Sequence, residues 1–164
     1  MAINKVDWST YKFHCSMLPT LMTNGRSKGE ILSETAKGKL REIFIQETFG
    51  RRNFGSANKY TQKGLTVEQD SLNLISKVHN TGFLTKSKEQ LSNEWITGTP
   101  DVEKPILRDA KSSWDIFTFA NVDEKKARSN YFWQLWGYMW LTGQKKAMLD
   151  YTLVNTPVEI KDTE

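Results

Sequence analysis

Gly98-Thr99-Pro100-Asp101 and then Asp109-Ala110-Lys111, joined by the spacer Val102 to Arg108, form the stretch that decides how this chain reads. Pro100 fixes its own φ and biases Thr99 toward extended backbone, so Asp101 stands just past the end of a strand predicted over 94–98. Asp109 and Lys111 lie two apart in a second predicted strand. Strand side chains alternate between faces, so these two point the same way with Leu107, while Arg108 and Ala110 point the other way. A hairpin through Val102-Glu103-Lys104-Pro105 brings Asp101 close to Asp109. Two carboxylates hold a hard divalent cation, with water and substrate phosphate completing its shell. A lysine ammonium beside them serves the attacking water or the phosphate. The implied chemistry is metal-dependent cleavage of a phosphodiester. Acid-x-Lys alone fits an ordinary hairpin with solvated charges equally well; the Gly-Thr-Pro-Asp bend at this distance favours a site.

A third carboxylate lies upstream. Residues 59–79 read as one helix, in which Leu65, Glu68, Leu72 and Ile75 fall at i, i+3, i+7 and i+10. Glu68 is therefore expected on the apolar, inward face. A buried carboxylate needs a partner, either a core lysine or arginine or a metal. Downstream, Ala127 to Thr142 reads as a strongly apolar helix, and its aromatic residues are expected in the core. Gln134 interrupts it and lies four residues before Tyr138 on the same face. A buried glutamine requires hydrogen-bond partners, which an active-site water, carboxylate or phosphate would supply.

The remaining layout is coarse. Residues 1–31 read as irregular, with a short helix near Ser16 to Met22. Ser33 caps a predicted helix running to about Phe49, with Glu34 in its first turn, the stripe Ala36, Leu40, Ile43, Phe44, and Gly50 at its end. Residues 51–58 form a basic loop. Short strands are expected over 81–84 and 88–91, a short helix over 114–119, a last strand over 146–154, and a frayed polar tail from 155 to 164. Strands flanked by helices indicate a mixed α/β sandwich around a central sheet, in one domain spanning 1–164 with its core at about 16–154.

Taken in order, Glu68, Gly98-Thr99-Pro100-Asp101, Asp109-Ala110-Lys111 and Gln134-x-x-x-Tyr138 resemble the PD-(D/E)XK nucleases of the RecB-like branch. Within that branch the chain is most similar to the lambda-exonuclease/YqaJ type of viral recombination nuclease, from about Ser16 to Val154. The resemblance implies a restriction-endonuclease-like core, a central mixed sheet flanked by helices. It implies Glu68, Asp101 and Asp109 as metal carboxylates with the Ala110 carbonyl beside them, and Lys111 as the group that orients or activates the nucleophilic water. It also implies Gln134 and Tyr138 as the pair that supports the site and touches DNA. Ser16 and Arg26 are the candidates for the family's phosphate-binding serine and arginine. The implied cofactor is Mg2+, with Mn2+ as a substitute. The implied activity is digestion of duplex DNA from its ends in phage-type recombination, beside a single-strand annealing protein and in a homo-oligomer. Asp109 stands where many relatives carry glutamate, one methylene longer. A nicking or structure-specific endonuclease on the same fold, or a non-catalytic protein derived from it, remains an alternative.

Composition agrees with an intracellular, cytoplasmic setting. Cys15 is the only cysteine, which excludes an internal disulfide and a four-cysteine iron–sulfur cluster. No apolar run is long enough to span a bilayer. His14 and His79 are too isolated in sequence to promise a zinc site. The net charge of +4 is uneven: residues 1–64 carry eleven Lys and Arg against five Asp and Glu. That basic part includes Arg26, Lys28, Lys37, Lys39, Arg41, Arg51, Arg52, Lys59 and Lys63. It reads either as a DNA-facing surface or as an ordinary solvated one, with Arg51 and Arg52 the loop's candidate DNA contacts.

Overall fold

A computed structural model describes residues 3–51 and 58–161. The two motif strands appear as β3 (Ile96–Gly98) and β4 (Leu107–Ser112). β3 is shorter than expected because Asn93 Oδ1 accepts from the amides of Trp95 and Ile96 and makes a turn of its first residues. Past Asp101 the chain turns back, and Val102 pairs antiparallel with Arg108, which is the predicted hairpin in its smallest form.

β1 (Phe13–His14) runs parallel to β3, and β2 (Leu91–Ser92) runs antiparallel to it on the other side. β4 pairs in parallel with β5 (Ala147–Thr152), with Asp109 opposite Leu149 and Lys111 opposite Tyr151. The expected single central sheet is thus two small sheets, linked at the Val102–Arg108 bridge. Short strands limit the pairing: among the described residues no strand forms over 81–84, where Gly82 adopts positive φ. β1 falls in the region expected to be irregular.

The helices lie against these strands. A 3-10 turn (Cys15–Met17) leads into α1 (Leu18–Leu21). α2 (Glu34–Phe49) starts where the Ser33 hydroxyl accepts from the Ala36 amide and ends at Gly50 in the left-handed region, as the sequence predicts. Ala36 and Ile43 of its stripe are buried, while Phe44 is half-exposed and stacks on Trp8.

The long helix expected over 59–79 is instead α3 (Lys59–Thr66) and α4 (Glu68–His79), broken at buried Val67 (φ −101°). The break resets the helical phase. Leu65 is left exposed, whereas Leu72 and Ile75 stay in the core. α5 (Ile116–Ala120) is short, and α6 (Glu124–Thr142) begins where Asp123 accepts from two amides. α7 (Val158–Lys161) replaces the expected frayed tail and buries Ile160.

β4 lies between α6 and α4. On one side Cys15, Ile96, Leu107 and Tyr138 form a core; on the other Leu72, Ile75, Leu84 and Val102 form a second, with Ala110 packed against it. The first core tolerates no side chain at two points. A Cβ on Gly98 would come 2.7 Å from the Tyr138 ring, and one on Gly137 would come 2.9 Å from Cys15 Sγ. These glycines let β3 and α6 close on Cys15. The aromatics of α6 do not all join that core. Phe132, Trp136 and Trp140 are nearly half exposed, because the helix's inward face is already filled by Gln134, Gly137 and Tyr138.

Candidate active site

The hairpin delivers Asp101 to β4, where its Oδ2 accepts from the Ala110 amide at 2.7 Å. Asp109 is 2 % exposed. Its Oδ1 accepts from Gln134 Nε2 at 3.0 Å, and the same Nε2 donates to the Tyr138 hydroxyl at 3.2 Å. Its Oδ2 faces Lys111 Nζ at 2.6 Å. That approach is an ion contact without the alignment of a hydrogen bond, so Oδ2 has no directional donor. Strand alternation sets Asp109 beside Lys111, the helical i, i+4 step sets Gln134 beside Tyr138, and the packing of α6 on β4 brings the two pairs together.

These charges oppose one another. Burial, then the neighbouring Asp109, pushes the Asp101 carboxyl up to about 7, against the Ala110 amide and Lys111, which pull it down. Burial also raises Asp109, with Lys111 opposing. Burial works against the Lys111 ammonium, but Asp109, with Asp101 behind it, outweighs burial and holds Lys111 above its ordinary value. Burial drives the Tyr138 phenol far up, so it stays protonated. A compact site of carboxylates raised by burial and by neighbouring negative charge is the pattern that binding a cation relieves.

Glu68 is placed differently from the sequence expectation. It opens α4 rather than sitting mid-helix, is partly exposed, and pairs with Lys86 Nζ at 2.6 Å. It is still near enough for its charge to raise both Asp101 and Asp109. Among the described residues, no three Asp, Glu, His or Cys side chains gather into a ready metal cluster. Two carboxylates do converge, one of them with an unaligned buried oxygen, and that donor set suits Mg2+, which takes one or two carboxylates and keeps its waters.

The residues expected to contact DNA are spread out. Ser16 is exposed in the 3-10 turn, and Arg51 is exposed after α2. Arg52 lies outside the described residues. Arg26 lines a cavity of about 450 Å3 with Thr23, Asn24 and Ser33 at the start of α2, and Glu30 and Glu34 on its rim. The Ser33 hydroxyl in this lining accepts from the Ala36 amide, as the cap read in the sequence, and meets the Thr23 hydroxyl.

Several lysines of the basic segment are engaged within the protein. Lys37 pairs with Glu30 and Glu34, and Lys39 with Glu42. Lys63 is buried and donates to the carbonyls of Ser113, Trp114 and Val154 at 2.5, 2.8 and 2.9 Å. It is not a surface contact; it ties α3 to the ends of β4 and β5. Of the histidines, His14 is exposed and His79 lies 3.4 Å from Asp150.

No helix among the described residues is long and apolar enough to cross a membrane. No protein-family model matches the sequence, and no curated protein sequence does. Solved structures do. The chain is similar to a phage related exonuclease from Haemophilus somnus 129PT, at 34% identity and a TM-score of 0.81, covering 92% of this chain and 72% of that one. It is also similar to an alkaline exonuclease, LHK-Exo, from Laribacter hongkongensis, at 15% identity and a TM-score of 0.65, covering 93% and 74%. LHK-Exo in complex with dAMP aligns at 17% identity and a TM-score of 0.61, covering 91% and 73%. At those last two identities the likeness is one of fold.

Proposed function

The chain belongs to the lambda-exonuclease/YqaJ type of PD-(D/E)XK nucleases, and from that premise we propose that it is a Mg2+-dependent exonuclease that degrades double-stranded DNA from its ends. The observation that carries the reading is the set Asp101, Asp109, Lys111, Gln134 and Tyr138, with Asp109, Gln134 and Tyr138 buried, drawn together from the hairpin, β4 and α6. The restriction-endonuclease-like core then corresponds to β3, β4 and β5 between α4 and α6, within one nuclease domain.

Asp101 and Asp109 would hold the cation, with the Ala110 carbonyl beside them and Glu68 joining once it leaves Lys86. When bound, the cation supplies positive charge that polarises the scissile phosphate and offsets the negative charge developing there. The protein's own residues prepare the rest. Gln134 fixes Asp109 by donating to Oδ1 and is itself seated on Tyr138. Lys111 places an ammonium beside Asp109, where it orients the attacking water or meets a phosphate oxygen. Water oxygen adds to phosphorus, one phosphate ester bond breaks, and the departing oxygen leaves as an alcohol.

Arg26, with Ser33, is proposed to meet a phosphate at the start of α2, where helix amides favour an anion; Arg51 and Ser16 would act as peripheral contacts. The setting proposed is phage-type recombination in the host cytoplasm, with a homo-oligomer and a single-strand annealing protein as partners.

The test compares end-labelled linear duplex with closed circular duplex in Mg2+, with Mn2+ in parallel and Asp109→Ala as control. Digestion of the linear substrate alone, abolished in the variant, is the expected result. Nicking of the circle would make the protein an endonuclease, and cleavage that survives in Asp109→Ala would remove the site from the reaction.

A further inference from the structure

One aromatic group at the site has no part in the reading above. Tyr131 lies on α6 one turn before Gln134, and its ring centroid is 4.9 Å from Lys111 Nζ. Burial, then the nearby Tyr131, pushes the Tyr151 phenol up to about 12. Tyr151 is the residue of β5 directly opposite Lys111. Lys111 therefore has two side-chain neighbours on different elements, the Asp109 carboxylate at 2.6 Å and the Tyr131 ring, and Tyr151 stands across the strand pair from it.

We propose that Tyr131 is a positioning residue for Lys111: its ring face holds the ammonium against Asp109 in one orientation. This rests on the assignment of Lys111 to the reaction. A lysine has four rotatable side-chain bonds, and Lys111 is 27 % exposed, so Asp109 alone would leave the ammonium several ways to turn. An electron-rich ring face attracts the cation from a second direction and restricts it. Gln134 does the same for Asp109 from the next turn of the same helix, so α6 aligns both members of the pair.

The test uses the full chain in single-turnover cleavage of linear duplex at saturating Mg2+ and DNA. Tyr131→Leu should lower the rate about tenfold, the scale of a lost cation–ring contact at a reacting centre, with little change in KM. Tyr131→Phe keeps the ring and should keep most of the rate. In a Lys111→Met background, Tyr131→Leu should cost nothing further. Urea unfolding of the metal-free single and double variants gives the same cycle without activity: Tyr131→Leu should destabilise less once Lys111 is methionine. Additive effects in the unfolding cycle, or Phe losing as much rate as Leu, would overturn the proposal. So would a parental rate in Tyr131→Leu beside an inactive Lys111→Met. Parental cleavage by Lys111→Met would instead remove Lys111 from the reaction, and Tyr131 with it.

Discussion

The two faces of β4 carry buried charge in opposite conditions. On the face toward α4, Arg108 is 3 % exposed and its Nη1 donates to both carboxylate oxygens of Asp150, at 3.0 and 2.8 Å, with His79 beside them. That charge is matched by its partner. On the face toward α6, burial raises both Asp101 and Asp109, Asp109 raises Asp101 further, and one lysine stands against two carboxylates with Glu68 near by. The same strand, one residue apart, therefore holds a charge pair that closes on itself and a charge set that is left in deficit. A matched buried pair is strongly felt when broken and does little chemistry. A deficit of positive charge at a compact site is the condition for recruiting a cation.

The largest effect should come from deleting charge on the deficient face. Asp109→Ala is expected to reduce DNA cleavage on the order of 10³-fold or more, while its melting temperature without metal stays level or rises, because a buried, poorly matched carboxylate is gone. A coupled fall in rate and stability would mean the two faces do not differ. On the matched face the pattern should invert. Arg108→Met leaves Asp150 buried without its cation and should destabilise by about 3–5 kcal/mol, with the rate per folded molecule kept within a few-fold. The double variant Arg108→Met, Asp150→Leu should recover much of that loss. Urea unfolding together with rates normalised to folded protein reads both.

The deficient face was largely legible in the sequence, and the matched one was not. Pro100 and the two-residue alternation of Asp109 and Lys111 are local rules, and so is the i, i+4 step from Gln134 to Tyr138; each survives into the fold. The Arg108–Asp150 pair depends on which strand lies beside β4 and in what register, and a parallel partner reached through two helices leaves no short-range trace. The break at Val67 has the same origin. Helical periodicity carried through it smoothly, but packing of Val67 into the core ends α3 there and moves Glu68 to the first turn of α4. β1 was missed because two residues paired to a strand some eighty positions away carry no periodic signal of their own. The outer aromatics of α6 misled for a simpler reason: a helix has a limited inward face, and composition alone does not say which rings occupy it.

A pH series sharpens the contrast. Asp101 is pushed up to about 7 in the folded protein, from 3.8 as its ordinary value. The folded state therefore binds more protons than the unfolded state between those values. The contribution of this carboxyl to stability should be greatest below about pH 4, fall as pH rises through the interval, and level off above about pH 7. This is opposite to the usual behaviour of a paired carboxylate. The expected loss of this contribution in metal-free protein between pH 4 and pH 8 is on the order of 4 kcal/mol, and Asp101→Asn should remove it. A divalent cation should stabilise the protein more at pH 8 than at pH 5, where a proton occupies the same carboxyl.

Glu68 is the residue whose side in this comparison is undecided by contact alone, since it pairs with Lys86 yet adds its charge to the deficient face. Lys86→Met separates the two roles. The pair is partly exposed, so losing it should change stability by less than about 1 kcal/mol. If Glu68 serves only that pair, nothing else changes. If it belongs with Asp101 and Asp109, releasing it adds a third negative charge to the site, and Mn2+ should raise the melting temperature of Lys86→Met at severalfold lower concentration than in the parent. The expected outcome is the second, because a carboxylate held only by a surface lysine is free to turn toward a stronger cation, and the two aspartates already register its charge.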